Sequence, residues 1–173
     1  GGMVLFDKEE GFQRQIHNIE NTPFRTKFER DLADFRGHAG LGCISDSDPQ
    51  PLLVRSHLGL YAIVTVGIIN NTDELVKAYL SDKGQQFLTL SSGRVNVTEL
   101  TAALINQEND LVSGILHAME VIDGSMTILI LTEEGELIAA RDSMGRLPVL
   151  IGQRENGYCV SFESFAYHKL DYQ

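Results

Sequence analysis

The stretch from Ala139 to Gly152, AARDSMGRLPVLIG, constrains the fold of this chain more than any other. An apolar run leads into Arg141-Asp142, a reversal follows over Ser143 to Arg146, and a second apolar run begins at Pro148. An aspartate beside a Ser-x-Gly reversal is typical of a tight turn, because Asp caps backbone N–H groups and Gly accepts a positive φ. Proline is tolerated at the first position of a strand. Taken alone, the stretch predicts an ordinary β-hairpin.

This hairpin segment and a second segment, Val160 to Ala166 (VSFESFA), together carry a family resemblance. They resemble the RDxxGxRPL and (V/A)xSES-x-A motifs of the class II, N-terminal-nucleophile glutamine amidotransferases, at the family's spacing. Within that family they are most similar to the glutaminase part of the amidophosphoribosyltransferases of purine synthesis. The resemblance extends over nearly all of residues 1–173. It implies one domain with an α+β fold, the four-layer αββα sandwich of the N-terminal-nucleophile hydrolases.

The bulk composition agrees with one globular domain and excludes several classes of partner. A chain of 173 residues with 43% hydrophobic content is long enough to bury a sizeable core. Its formal net charge of −10 argues against nucleic acid and anionic membranes as partners, since both need a basic footprint. Two cysteines are too few for a disulfide framework, and no apolar run approaches the length that spans a membrane. We therefore expect a cytoplasmic protein.

The order of the predicted elements independently favours an α+β fold, because antiparallel hairpins dominate and the helices are grouped. Thr22 is expected to cap the first helix, and the apolar stripe Phe24, Phe28, Leu32 and Phe35 to face the core. The predicted strands cover residues 1–6, 12–17, 39–45, 59–66, 85–90, 125–131, 136–140, 148–151 and 158–162, with another starting at 50. The predicted helices run from 22 to 37, from 72, from 98 to 105 and from 110 to 119, with a short helical end.

The first residues, Gly1 to Phe6, form an apolar run without a polar lead-in. One interpretation is a cloning remnant ahead of a true start at Met3. The resemblance suggests another, because family members carry an (H/R)RG(G/Q) motif just before the matching strand. On that alignment the chain begins inside the domain, without the N-terminal strand and the nucleophilic cysteine. A missing strand would leave a sheet edge uncovered, so we expect a homo-oligomer or a second chain that fills the gap.

Segment 39–52 resembles the family's GIGHxR(Y/W)xT…QP region, whose arginine clamps the carboxylate of glutamine. A bidentate guanidinium suits that task. On this alignment the family arginine corresponds to Ser45 and the family histidine to Cys43. A serine supplies neither the charge nor the fork of an arginine.

Two further positions of the implied glutamine site are also changed. The family motif HNG, whose Asn side chain and Gly N–H form the oxyanion hole, corresponds to Thr65-Val66-Gly67. Val66 cannot donate a hydrogen bond, whereas Gly67 keeps its backbone N–H. The family's SDSE(V/I)L segment places its α-amino-binding aspartate on Val97, or on Asn96 if the register slips by one residue. Neither side chain carries a charge.

The resemblance thus implies a glutamine amidotransferase domain whose glutamine site is degenerate. The alternative is a non-catalytic domain that keeps the fold for small-molecule binding, regulation or assembly. The loop after the predicted strand 39–45 still offers hydroxyl groups and carboxylates, at Ser45, Asp46, Ser47 and Asp48. Such groups suit a neutral or cationic ligand better than an amino acid such as glutamine. The same loop also reads as no more than a solvated turn.

The other reactive side chains give weaker indications. Cys43 is the one candidate replacement nucleophile near this region, with His38 and His57 as possible neighbours, although an inert core cysteine is the stronger interpretation. Asp142 and Glu163 either tie backbone at strand ends or line the same end of the sandwich as the pocket. The histidines and cysteines show no metal-ligand spacing and the chain has no phosphate loop, so we expect neither a metal nor another cofactor.

Overall fold

The computed structural model describes residues 1–46, 48–82, 85–87, 90–91 and 93–173. Within these residues, helices are interspersed among groups of strands along the chain. The strands are β1 (Gly2–Asp7), β2 (Gly11–Ile16), β3 (Ala39–Cys43), β4 (Leu52–Ser56), β5 (Gly59–Ile69), β6 (Leu90–Ser91), β7 (Arg94–Val95), β8 (Gly124–Thr132), β9 (Leu137–Arg141), β10 (Leu150–Arg154) and β11 (Gly157–Ser161). The helices are α1 (Phe24–Asp34), α2 (Thr72–Ser81), α3 (Val97–Ile105), α4 (Leu111–Val121) and α5 (Phe165–Leu170).

A four-stranded antiparallel sheet of order β4-β5-β8-β9 forms the centre of the molecule. Its β5–β8 ladder is the longest, running from the pair Tyr61–Thr132 to the pair Ile69–Gly124. Both strands are rich in β-branched and aliphatic residues, which suits strands buried on two faces. One face packs against α3 and α4 through side chains such as Ile63, Leu100 and Ile115.

The opposite face of this sheet packs against a second, three-stranded sheet of order β2-β1-β3. Val4, Phe6 and Leu41 of the three-stranded sheet meet Ala62 and Leu129 of the four-stranded sheet in a shared core. The β10–β11 hairpin forms a separate two-stranded sheet, and its Val160 packs against the same core. The two sheets are thus the inner layers of a sandwich.

Helix α1 covers the three-stranded sheet. Its fully buried Phe28 packs edge-on against His17, the residue after β2, with ring centroids 4.7 Å apart. With α3 and α4 beyond the other sheet, the layers follow the order helix, sheet, sheet, helix. The predicted α+β, αββα architecture of the N-terminal-nucleophile hydrolase type is therefore confirmed.

The segment 139–152 is not a hairpin, so the expectation from its sequence was wrong. The reversal exists, because Gly145 has a φ of 59° and donates its N–H to the carbonyl of Asp142. Yet β9 pairs with β8, whereas β10 pairs with β11 in another sheet. The cause is Asp142, whose carboxylate accepts the N–H of Met126 in β8 at 2.8 Å and ties the turn to the central sheet. The chain leaves the turn toward the other layer.

Three smaller expectations also fail. Thr22 does not cap α1, because Pro23 occupies the capping position and no side-chain capping bond forms there. Leu32 of the expected apolar stripe is 51% exposed, since only Phe28 is buried on this helix. Gly67 was expected in a loop, but β5 continues through it to Ile69.

Part of the strand expected at 85–90 lies outside the described residues; of the rest, only Leu90 is in a strand. Among the described residues, no helix is long and apolar enough to cross a membrane.

Candidate functional site

The expected glutamine-pocket positions come together at one end of the sandwich. A small cavity of about 160 Å³ lies where the loop after β3 meets β5 and the start of α3. It is lined by Ser45, Val66, Gly67 and Val97, which come from three separate parts of the sequence. Asn96, the alternative position, does not line it. The alignment that assigned these positions is thus internally consistent in three dimensions.

A larger cleft of about 610 Å³ adjoins the small cavity. The two share one wall, formed by the loop between β3 and β4. The larger cleft extends from this wall to the residues that follow β2, including His17 and Glu20. Its volume is in the range of small-molecule sites. The shared wall consists of Ile44, Ser45, Asp46, Asp48 and Gln50.

Gln50 anchors this loop to the central sheet. Its side-chain Oε1 accepts the N–H of Thr65 at 2.8 Å, and its Nε2 donates to the carbonyl of Thr65 at 3.1 Å. Both groups are buried, so these bonds satisfy polar atoms that water cannot reach. The bonds hold the loop against β5, next to Val66 and Gly67.

The start of α3 is fixed to the same strand. The hydroxyl groups of Thr65 and Thr98 lie 2.7 Å apart in a fully buried hydrogen bond. The side chain of Asn96 accepts the N–H of Glu99 and so caps the helix. Asn96 is therefore a capping residue here, and Val97 is the residue that faces the cavity.

Asp48 connects the loop to this helix end. Its carboxylate accepts the backbone N–H of Val97, with an N···O distance of 3.3 Å. The N–H of Asp48 itself donates to the hydroxyl of Ser45, also at 3.3 Å. An acidic side chain at a helix N-terminus is favourable because it meets the positive end of the helix dipole. The structure thus places a carboxylate at the start of α3 from a different element of the chain.

Where β5 borders the small cavity, it packs closely against β8 and the core between the sheets. Val66 pairs with Thr127 of β8 and shares its face with Ala62 and Val64, which belong to the core between the sheets. A Cβ atom on Gly67 would lie 2.0 Å from the carbonyl oxygen of Ser125. This close approach accounts for the glycine at position 67 by packing alone.

The charges that line both cavities are negative. Asp46 and Asp48 line both, and Glu20 lines the larger cleft. Among the described residues, neither cavity is lined by a lysine or an arginine. Ser47, which the sequence also placed in this loop, lies outside the described residues. The described residues that line the site therefore offer a ligand carboxylate no lysine or arginine partner.

Cys43, the last residue of β3, lines the small cavity and packs against the core between the sheets. Burial raises the pKa of its thiol, which disfavours the thiolate that a nucleophile needs. The two histidines considered as its neighbours make other contacts: His38 packs against Phe6, and His57 bonds to the carbonyl of Glu108. The geometry supports a structural cysteine.

Asp142 and Glu163 line neither cavity. Asp142 caps its turn, with Oδ1 accepting the N–H of Gly145 at 2.9 Å, and backbone hydrogen bonds, that of Met126 above all, lower its pKa. Glu163 is exposed. Of the two interpretations offered for Asp142, the one in which it binds backbone groups at a strand end therefore agrees with the structure. No group of three or more His, Cys, Asp or Glu side chains among the described residues is placed to hold a metal ion.

Sequence reasoning missed two features of this site. Gln50 was noted as part of a QP pair, but nothing in its local sequence indicates that it binds Thr65. His17 lines the larger cleft and lies 2.6 Å from the carboxylate of Asp31 in α1. The 14-residue separation of this pair falls outside any local spacing rule, so no sequence signal identifies it.

Comparisons with known proteins agree with this geometry. Residues 39–167 match the family model described as a glutamine amidotransferase domain. The amidophosphoribosyltransferase of Methanocaldococcus jannaschii is 28% identical over 168 residues, which covers 91% of this chain and 35% of the relative. That of Bacillus subtilis is 34% identical over 121 residues, covering 68% and 24% respectively. The chain thus spans about a third or less of these relatives.

Solved structures give the same result. Glutamine phosphoribosylpyrophosphate amidotransferase from Bacillus subtilis, complexed with ADP and GMP, superposes with a TM-score of 0.78 at 26% identity. A second structure, described as the allosteric regulatory enzyme of purine biosynthesis, gives a TM-score of 0.80 at 26% identity. In both cases the match covers 99% of this chain and 37% of the other.

Proposed function

This chain belongs to the glutamine amidotransferase domain family, and from that premise we propose that its glutamine site is degenerate. On this proposal the domain is related to the glutaminase part of amidophosphoribosyltransferase but does not hydrolyse glutamine by the family's route. It retains the fold for small-molecule binding, regulation or assembly. A role in purine synthesis, which the names of its relatives suggest, belongs to the same proposal.

The observation that carries this proposal is the charge of the pocket. Glutamine is a zwitterion, and both its charged ends need partners when water is removed. The described residues that line the two cavities offer carboxylates at Asp46 and Asp48 but no lysine or arginine. A ligand carboxylate would enter unpaired and meet like charges, which costs more than the remaining contacts return.

The oxyanion site is also incomplete on this proposal. The family arrangement uses an Asn side chain together with a Gly N–H, and losing one such donor typically costs roughly 10²–10³ in rate. Val66 lines the cavity, and its aliphatic side chain cannot donate a hydrogen bond. The absence of a side chain at Gly67 is explained by its close approach to Ser125, so the glycine itself does not indicate catalysis, and only the position of its N–H on the cavity wall bears on that question.

The competing function is that of an active glutaminase whose nucleophile lies outside these 173 residues. The position of Gly67 on the cavity wall favours it, since its backbone N–H is the surviving element of the implied oxyanion hole. The two functions differ in one covalent requirement, because an N-terminal nucleophile must be a cysteine exposed at the first residue of the mature chain.

A glutaminase assay on the protein with its natural N-terminus separates these functions. Glutamate release from glutamine is measured by a coupled dehydrogenase, with Bacillus subtilis amidophosphoribosyltransferase as the positive control. We expect release no faster than that of a heat-denatured sample. Sustained release, together with a cysteine directly after the initiator methionine, would overturn the proposal.

A further inference from the structure

We propose that the outer edge of β4 binds an extended peptide of a partner protein as an additional antiparallel strand of the central sheet. One large apolar side chain of this peptide enters the cavity beside the edge, and the residue directly before it is acidic. The inference goes beyond the proposed function, because this cavity shares no lining residue with the two cavities of the candidate site. It rests on the direction of the backbone groups of β4, on the walls of the cavity and on the charge of Arg55.

The direction of the backbone groups in β5 follows from two of its residues. The N–H and C=O of Thr65 bond to the side chain of Gln50, on the side of β4. Those of Leu60 bond to Glu133, on the side of β8. Because the backbone groups of successive residues in a strand point alternately to its two sides, the odd-numbered residues of β5 point toward β4.

The register of the ladder then identifies the unpaired groups of β4, which is an end strand of the four-stranded sheet. Leu52 and Val54 lie opposite odd-numbered residues of β5 and bond to them. Leu53 and Arg55 therefore direct their N–H and C=O groups away from the sheet, and no described residue bonds to these groups. An open edge of this kind is a template for a further strand.

A cavity of about 280 Å³ lies along this edge and not on one face of the sheet. Its lining includes the consecutive residues Leu52 to Arg55, whereas a cavity on one face would touch every second residue because side chains alternate. The opposite wall is one face of α3 together with the residue that caps it, and is formed by Glu99, Ala102, Ala103 and Asn106. The two alanines are buried, and their small side chains leave the space between helix and strand open.

The remaining walls select a large apolar side chain. The rings of Tyr79 in α2 and Phe87 both line the cavity, with centroids 5.0 Å apart. Leu52 and Val54 add aliphatic surface from the face of β4 that packs toward the helices. An aromatic ring that enters beside such a pair gains both apolar burial and ring contacts.

One end of the cavity is fixed by a hydrogen-bonded side chain. Oδ1 of Asn106 accepts the hydroxyl of Ser56 at 2.8 Å and that of Tyr61 at 3.1 Å. These bonds tie the end of α3 to the last residue of β4 and to β5. The cavity is therefore formed before a peptide arrives, which lowers the entropy lost on binding.

Arg55 determines which residue of the peptide is acidic. Its side chain is exposed, and the described residues place no carboxylate within ion-pairing distance of it. In an antiparallel pair, a peptide residue opposite Val54 shares its face and enters the cavity, and the residue before it lies opposite Arg55. A carboxylate at that position forms a charge-assisted hydrogen bond with the guanidinium.

The same arginine disfavours a second copy of this chain as the occupant. Two β4 edges that pair antiparallel about Val54 would place both Arg55 side chains on one face, at diagonal positions of the ladder. Like charges at that separation repel each other. An acidic and apolar peptide therefore complements the edge better than β4 itself does.

Nuclear magnetic resonance of the isotope-labelled protein with the peptide Ac-Thr-Glu-Phe-Val-Thr-NH2 tests the inference. We expect the amide signals of Leu53 and Arg55 to shift and their hydrogen exchange to slow, because these groups gain partners. The amides of Leu52 and Val54, already bonded to β5, are the internal control and keep their exchange rates. Unchanged signals of Leu53 and Arg55 at millimolar peptide would overturn the inference. Equal changes on concentrating the protein alone would assign the edge to a second copy and also overturn it.

Two altered peptides test the details of the pairing. Ac-Thr-Val-Phe-Glu-Thr-NH2 has the same composition and charge but places its glutamate opposite Leu53, and we expect it to bind roughly two- to fivefold more weakly. Methylation of the glutamate nitrogen in the first peptide removes a donor to β4 and should weaken binding at least about tenfold. Methylation of the phenylalanine nitrogen, which points away from β4, is the control. Equal effects of the two methylations would contradict strand addition.

A substitution in the protein locates the charge. In Arg55→Gln we expect the two peptide isomers to bind equally, because the cation that distinguishes them is gone. Arg25→Gln makes the same charge change at an exposed position of α1 and should preserve the difference between the isomers. A difference that persists in Arg55→Gln would contradict the role of Arg55. Circular dichroism checks the folding of both variants, and the peptide series on the unaltered protein decides the matter if Arg55→Gln does not fold.

Discussion

The side-chain amide of Gln50 is hydrogen-bonded to both backbone groups of Thr65. The N–H of Thr65 donates to Oε1 at 2.8 Å, and Nε2 donates to the carbonyl at 3.1 Å. The amide thus pairs with β5 as another strand would, at the point where the loop that carries Ser45 and Asp48 meets the central sheet. These bonds hold the loop that forms the shared wall of the two cavities against the central sheet.

Replacing Gln50 with leucine tests this anchoring. The variant keeps a similar volume but leaves the N–H and carbonyl of Thr65 unpaired in a buried position. Because an unsatisfied buried polar group costs about 1–3 kcal/mol, we expect the free energy of unfolding to fall by roughly that amount. Urea denaturation measures it. Gln153→Leu, at an exposed position in β10, is the matched control and changes stability little; equal effects of the two variants would contradict the anchoring role.

Gly67 allows a test that distinguishes packing from catalysis. In Gly67→Ala the new Cβ would lie 2.0 Å from the carbonyl oxygen of Ser125, which belongs to the rigid β8 backbone. Overpacking of this kind costs about 1–3 kcal/mol, so thermal and urea denaturation should show a clear loss of stability. Gly42→Ala is the control, because its nearest non-neighbouring atom is 4.0 Å away, and we expect it to be neutral. An unchanged stability of Gly67→Ala would show that the glycine is not retained for packing.

The turn at Asp142 makes a prediction about pH. Backbone N–H groups, first of all that of Met126, lower the pKa of this carboxyl group in the folded protein. A lowered folded-state pKa stabilises the fold at pH values above the ordinary aspartate pKa of about 3.9, and this contribution is lost as the pH falls through the folded value. Asp142→Asn should therefore be less stable than the unaltered protein at neutral pH, with the difference shrinking in acid.

Unfolding free energies measured by urea denaturation at neutral pH and at successively lower pH values check this. Ser143→Ala, which alters the same exposed turn without removing a carboxylate, should show a difference that does not vary with pH. A pH-independent difference for Asp142→Asn would mean that its hydrogen bonds to Met126 and Gly145 do not persist in solution.

The sequence predicted helix starts and strand turns well where a capping residue or a turn residue marks them locally. Asp110 caps α4 through the N–H of Ser113, at the residue where the sequence predicted this helix to begin, and the strands predicted at 148–151 and 158–162 correspond to β10 and β11, with Asn156-Gly157 at the turn between them. These features depend on residues within four positions of one another. The αββα order of layers followed from the family resemblance rather than from such signals.

Contacts between distant segments could not be derived in this way. The turn at Asp142 was recognised, but its chemistry specifies a reversal and not the strands that pair on either side of it. The predicted strand ended at residue 66, but β5 continues through Gly67, where β8 approaches too closely to leave room for a side chain. The bond from Val97 to Asp48 joins residues 49 positions apart, so the sequence placed both near the pocket without indicating that they touch.

Open sheet edges lead to a prediction about association. Among the described strands, β3 pairs only with β1 and β11 pairs only with β10, although Leu41 and Val160 of these strands pack in the same core. Unpaired edges recruit further strands. We predict a species heavier than the 19.2 kDa monomer by light scattering, with a fraction that rises with concentration. A monodisperse monomer over a wide concentration range would contradict this.

The most direct test of the degenerate glutamine site is a calorimetric titration of the protein with glutamine. Ser45, Val66 and Val97 stand at the positions where the family resemblance implies an arginine, an asparagine and an aspartate, and the structure places all three around one cavity. With no lysine or arginine among the described lining residues to pair with the carboxylate of glutamine, the account predicts no measurable heat at millimolar glutamine. A micromolar dissociation constant that is abolished by replacing Ser45 would contradict it.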